Sequence, residues 1–151
     1  MADVIDADIR SKLALAFDVD DLVAAIRLGR ELKDHFGVAK IGLELYSAAG
    51  PEAIGAMADL GYRVFLDLKL HDIPTTVGKS ARVLGALGVE YLTMHAHGGV
   101  DMLRAGVDGL AEGARNAGLE QPTSLAITVL TSDADAPEHI MPKRVAVATE
   151  A

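Results

Sequence analysis

The sequence predicts an α/β protein built on a parallel sheet, and two patterns carry that expectation. Short apolar runs alternate with segments of helical periodicity, roughly 25 to 33 residues from one run to the next, as in successive βαβ units. The runs are also nearly continuous in apolar character, which is how strands covered on both faces read. A third pattern bears on the architecture. Polar residues recur at the C-terminal ends of the runs: Asp18, Lys40, Asp67 with Lys69, His95 and Thr131. A (β/α)8 barrel gathers those ends into one ring. An open doubly wound sheet gathers them only at a switch point, and no Gly-rich phosphate loop follows the first run. The expected fold is therefore a (β/α)8 barrel, of which this chain supplies about the first five βα units.

The elements follow in order. "LALAFDVDD" is the first strand, ending in acids. "DLVAAIRLGRELKDHFG" places Leu22, Ala25, Ile26, Leu28 and Leu32 near helical spacing and stops at Gly37. "VAKIGLELY" is the second strand. "GPEAIGAMADLGY" is a helix with Pro51 near its start and Gly61 after its end. "RVFLDLKL", "YLTMHAHGG" and the β-branched "SLAITVLTS" are the next three strands. The helices "PTTVGKSARVLGALGVE" and "VDMLRAGVDGLAEGARNAG" lie between them.

Composition narrows the function classes. A chain of 151 residues, half of them apolar, is long enough for one domain with a core. The expected layout is a single domain over 1–151, with an N-terminal extension over 1–12 and an atypical segment over 134–151. There is no cysteine, which excludes disulfides, thiol nucleophiles and cysteine zinc sites and fits a reducing compartment. A net charge of −8 disfavours nucleic acid as a partner. No apolar run reaches the roughly 20 residues that span a bilayer, and the acidic start "MADVIDADIR" does not read as a signal peptide. The expectation is a cytoplasmic protein with neither nucleic-acid nor membrane partners.

The stretch "DLKLHDIPTTV" concentrates the chemistry. Charge beside an apolar strand is costly unless it is paired or used. Asp67 and Lys69 are two apart on a strand, so extended backbone sends both side chains to one side. Lys40 ends the neighbouring strand, and Asp72 follows in the loop before Pro74. Plainer roles stand beside the catalytic one: Asp72 as a helix N-cap, and Lys40 with Asp67 as a structural ion pair. His95 and His97 have the spacing of a metal pair but lack a third ligand, so no metal site is expected. Gly98 and Gly99 would make the turn into the next helix.

Together "LALAFDVDD", "AKIGLELY", "FLDLKLHDIPTTV", "MHAHGG" and "ITVLTS" resemble, in order, the motifs of the orotidine 5′-monophosphate decarboxylases over residues 13–133. The Asp-x-Lys-x-x-Asp core is shared with sugar-phosphate decarboxylases and aldolases of the same superfamily, and "IPTTV" resembles the orotidylate branch. The resemblance implies a barrel of the ribulose-phosphate-binding type acting as a homodimer with a shared active site, without metal or organic cofactor. It implies release of carbon dioxide from orotidine 5′-monophosphate to give uridine 5′-monophosphate. By the same resemblance, Asp18 would hold a ribose hydroxyl and Lys40 would bond to ribose and carboxylates. Asp67 would face the substrate carboxylate, and Lys69 would protonate carbon 6. Asp72 would enter the partner subunit's site with Ile73 and Thr76, while His95 and Thr131 complete the substrate-binding set.

A whole barrel usually exceeds 200 residues, and the family's phosphate-binding glutamine and arginine have no counterpart segment here. The expectation is an N-terminal portion, a truncated frame or a shifted frame. Two further readings stay open: the sugar-phosphate branch, which would require magnesium, and an inactive remnant or interaction module.

Overall fold

The computed structural model describes residues 6–151. Residues 1–5 of the expected N-terminal extension lie outside the described residues. The elements are α1 (Ala7–Ser11), β1 (Ala14–Ala16), α2 (Leu22–Leu32), β2 (Val38–Gly42), α3 (Leu43–Ala49), α4 (Pro51–Asp59), β3 (Arg63–Leu70), α5 (Pro74–Gly85), β4 (Tyr91–His95), a 3-10 turn (Ala96–Gly98), α6 (Val100–Asn116), β5 (Thr123–Ile127) and α7 (Ile140–Glu150). The strands follow the order β1-β2-β3-β4-β5 in one sheet. β1 runs parallel to β2, and β2 to β3, with Ala16 beside Lys40 and Gly42 beside Asp67. Sequential parallel strands joined by helices are the arrangement the alternation of runs predicts. No helix among the described residues is long and apolar enough to cross a membrane.

Several elements differ from the sequence expectation. The second strand stops at Gly42, and "LELYSAA" forms α3, which buries Leu45. Leu, Glu and Ala are strong helix formers, and Glu44 sits favourably in the first turn. Lys40 is thus the middle residue of β2 rather than its end. α2 ends at Leu32, not at Gly37. Gly37 serves instead as a close approach, since a Cβ there would lie 2.8 Å from the Arg10 carbonyl oxygen. β5 stops at Ile127, so Thr131 falls in an exposed turn beyond it. The Thr128 carbonyl just past the strand accepts from Arg144 Nη1 at 2.5 Å. A further difference is α7 itself, which occupies most of the atypical 134–151 segment and packs against α6 and the 3-10 turn.

Cover is uneven along the sheet: in β3 only Val64 and Leu66 are buried. β2 and β4 are largely buried, whereas β1 and β5, the outermost strands, have no buried residue. Contacts divide the chain into two compact units, each with its own apolar centre.

The first unit runs to Asp67 and takes in Val89–Tyr91. Phe17, Ile41, Leu45, Ile54, Met57 and Leu66 are fully or almost fully buried there. Phe17 meets Tyr62 edge to face at 5.7 Å, and the Tyr62 hydroxyl donates to the Gly29 carbonyl at 2.9 Å. Burial raises the Tyr62 pKa, assisted by Asp34 and opposed by Arg10. Asp21 caps α2, its carboxylate accepting from the Val23 and Ala24 amides at 2.7 and 3.0 Å.

The second unit comprises Leu68–Gly88 and Leu92–Ala151. Its centre is the pairing of α5 with α6, where glycines let the two helix backbones touch. Val77, Leu92, Met94, Met102 and Leu110 fill the space around them.

Candidate active site

In the first unit, parallel pairing of β1 with β2 brings Asp18 to Lys40. Lys40 Nζ donates to Asp18 Oδ1 at 3.3 Å. The Asp18 side chain is 68% exposed and that of Lys40 26%, so water screens the pair from the carboxylate side. Gly42 lies beside them: a Cβ there would meet the ammonium at 3.8 Å and the carboxylate at 3.9 Å, ordinary van der Waals contact. The structure thus shows Lys40 paired with Asp18. Asp67 lies opposite Gly42 in register, two positions beyond Lys40.

In the second unit, the end of β3 departs from strand geometry. Lys69 has φ of 50° and is the one non-glycine residue with positive φ among the described residues. Left-handed backbone costs a residue with a Cβ about 1–2 kcal/mol, and such outliers cluster at functional sites. The Lys69 amide donates to Thr93 Oγ1 on β4 at 2.8 Å. The direction of the Lys69 side chain therefore follows from this turn and not from simple strand alternation.

Beyond it, Leu68–Asp72 and the first two turns of α5 line a half-open cavity of about 330 Å3. Lys69, His71, Asp72, Thr76 and Ser80 supply its polar wall. That volume falls in the range of about 300–1,000 Å3 typical of small-molecule sites. Asp72 is not the N-cap of α5. Ile73 holds that position without a side-chain cap bond, because Pro74 begins the helix with its own fixed φ. Asp72 Oδ1 instead accepts from the Ile73 amide at 2.6 Å. Ile73 is 66% exposed on the same loop and does not line the cavity.

The second unit also assembles a basic group. His71 lies 5.3 Å from His95 and 5.5 Å from His97, centroid to centroid. Arg144 Nη2 approaches His97 Nδ1 at 3.4 Å. Burial lowers the His95 pKa, and His71, Lys69, Arg144 and His97 lower it further by charge. Burial and the neighbouring positive charge favour the neutral form of His95. No group of three or more His, Cys, Asp or Glu among the described residues is arranged to hold a metal ion.

Sequence reading missed Thr93, His71 and Arg144. His71 lies inside the "DLKLHDIPTTV" stretch and could have been singled out there. Thr93 and Arg144 carry no local signal, because their partners are 24 and 47 residues away in the chain.

Parallel βα units with acidic and basic side chains at the ends of their strands define an α/β chain of the (β/α)-barrel class. The sequence profile of the Orotidine 5'-phosphate decarboxylase / HUMPS family matches residues 11–141, and the chain belongs to that family. It is 45% identical over 123 residues to the orotidine 5′-phosphate decarboxylase of Moorella thermoacetica, covering 82% of this chain and 49% of that one. Among solved structures, the orotidine 5′-phosphate decarboxylase of Lactobacillus acidophilus superposes with a TM-score of 0.72 at 35% identity, over 94% of this chain and 65% of that one. An uncharacterized conserved protein from Geobacillus kaustophilus superposes with a TM-score of 0.80 at 31% identity, over 91% and 68%. The chain spans about half the length of the relatives it matches in sequence.

Proposed function

We propose that this chain carries the lysine–carboxylate part of an orotidine 5′-monophosphate decarboxylase site, which forms uridine 5′-monophosphate in pyrimidine synthesis. The observation that carries this reading is Lys69, held in left-handed backbone at the end of β3 and lining a cavity of about 330 Å3. Family membership supports it.

The chemistry requires such a group. The bond from carbon 6 to the carboxylate breaks, carbon dioxide leaves, and the electron pair stays on carbon 6. No π-system accepts that pair directly, so the protein stabilises the carbanion electrostatically. The Lys69 ammonium supplies the positive charge and then transfers its proton to carbon 6. It recovers a proton from solvent after product release. Asp67 and Asp72 keep Lys69 protonated by opposing its charge. Asp67 also faces the substrate carboxylate, and loss of carbon dioxide relieves that like-charge contact. Asp18 and Lys40 hold the ribose, an assignment supported by their 3.3 Å pairing. Thr76 and His95 lie on the substrate side, where the basic cluster suits an anionic nucleotide, and Thr131 approaches the pyrimidine ring from its turn. In this reading the working form is a homodimer, with Asp72 and Ile73 from their exposed loop and Thr76 from the first turn of α5 reaching the partner's site.

The test is turnover of orotidine 5′-monophosphate by the purified protein without added metal, compared with Lys69→Ala. Losing a preorganised charge costs about 3–4 kcal/mol, so the variant should lose at least about a hundredfold in kcat. Its affinity for uridine 5′-monophosphate, followed by calorimetry, should change by no more than a few fold. No wild-type turnover, or a variant keeping more than about a tenth of the wild-type rate, overturns the reading. A magnesium requirement would assign the chain to the sugar-phosphate branch.

A further inference from the structure

We infer that Thr93 is a positioning residue for Lys69, its hydroxyl holding the left-handed backbone that aims the ammonium. The inference rests on the decarboxylase reading for its kinetic consequence and on geometry alone for the positioning itself. Thr93 is 0% exposed and is the one buried polar side chain among the described residues. Lys69 is the one non-glycine residue there with positive φ. A hydrogen bond of 2.8 Å joins these two exceptions, across 24 residues of chain.

The physical link is direct. A strand residue in ordinary extended backbone donates its amide to a neighbouring backbone carbonyl. The Lys69 amide donates to a side-chain hydroxyl, that of Thr93. Thr is β-branched, so its χ1 is stiff and the oxygen stays where the strand puts it. Burial keeps water from replacing that acceptor. The conformation of Lys69 is therefore fixed from β4, a strand that otherwise contributes only His95 to the proposed substrate site. Turning Lys69 back to extended backbone would swing its side chain away from the cavity it lines.

Thr93→Val keeps the shape and removes the acceptor, whereas Thr93→Ser keeps the acceptor. Two readouts separate positioning from mere packing. The first is the Lys69 Cα and Cβ chemical shifts, which distinguish left-handed from extended backbone, with hydrogen exchange at the Lys69 amide. Thr93→Val should move the shifts to extended values and speed exchange at least about tenfold, and Thr93→Ser should do neither. The second is decarboxylation of orotidine 5′-monophosphate: Thr93→Val should lower kcat at least about tenfold with KM within about twofold, and Thr93→Ser should restore kcat. Unchanged Lys69 shifts in Thr93→Val overturn the inference. Moved shifts with unchanged kcat overturn its catalytic consequence. Equal losses in both variants mean a packing role and overturn it as well. If the wild-type protein shows no turnover, the decarboxylase reading fails, and the Lys69 shifts in the two variants still decide the positioning. Should Thr93→Val not fold, Thr93→Ala is read in the same way.

Discussion

Gly109 of α6 lies so close to Gly78 of α5 that a Cβ added at Gly109 would overlap the Gly78 carbonyl oxygen. A backbone carbonyl cannot rotate aside, so Gly109→Ala must push the helices apart. Overpacking of this kind costs about 1–3 kcal/mol, against a helix-propensity gain of about 1 kcal/mol. Gly55 in α4 is the opposite case, exposed and with nothing within 4 Å of its added Cβ. Urea denaturation should show Gly109→Ala less stable by up to about 2 kcal/mol and Gly55→Ala more stable by about 0.4–1 kcal/mol. Equal midpoints for the two would contradict the close helix contact.

The Asp18–Lys40 pair separates stability from function. Screened pairs contribute about 0.2–1 kcal/mol, so Asp18→Ala should leave the urea midpoint nearly unchanged. If Asp18 holds a ribose hydroxyl, the same variant loses a charged hydrogen bond of about 1.5–3 kcal/mol. Calorimetric titration with uridine 5′-monophosphate should then show affinity about ten to a hundredfold weaker. Unaltered nucleotide affinity would remove Asp18 from the site.

His95 should give the second unit an acid-side instability. Its pKa is lowered from 6.5, by burial first and then by His71, Lys69, Arg144 and His97. The unfolded chain therefore binds the proton more readily than the folded one. The contribution is fully present above pH 6.5 and is lost as pH falls from there through the folded-state value. Denaturation midpoints collected from pH 7.5 down to about 5 should fall more steeply for wild type than for His95→Asn. Parallel curves would mean that the ring titrates as it does in the unfolded chain.

The shared-site proposal makes a stoichiometric prediction. Lys69→Ala and Asp72→Asn homodimers each carry one defect in every site. Unfolded together and refolded at equal amounts, about half the dimers are mixed. In a mixed dimer, the site on the Asp72→Asn chain keeps its own Lys69 and receives an intact Asp72. About a quarter of all sites should therefore recover turnover. If Asp72 acts only within its own chain, where it also lines the Lys69 cavity, mixed dimers confirmed by mass spectrometry would stay inactive.

Local pattern was enough for much of this fold. β3 over Arg63–Leu70, the Pro51 and Pro74 helix starts and the strand–helix alternation all follow from periodicity and capping, which act within a few residues. So does the placing of Lys69 and Asp72 in one short segment. Other features came from distant parts of the chain. The Lys40–Asp18 pair spans 22 residues, the Lys69–Thr93 bond spans 24, and Arg144 reaches His97 across 47. β5 looked longer than it is because β-branched residues favour extended backbone wherever they lie, while Arg144 engages the Thr128 carbonyl just past its end. The sequence by itself determined which residues carry charge and which segments repeat. Only tertiary structure decided that Lys69 turns left-handed, since a strained backbone persists only where a partner from elsewhere in the fold holds it.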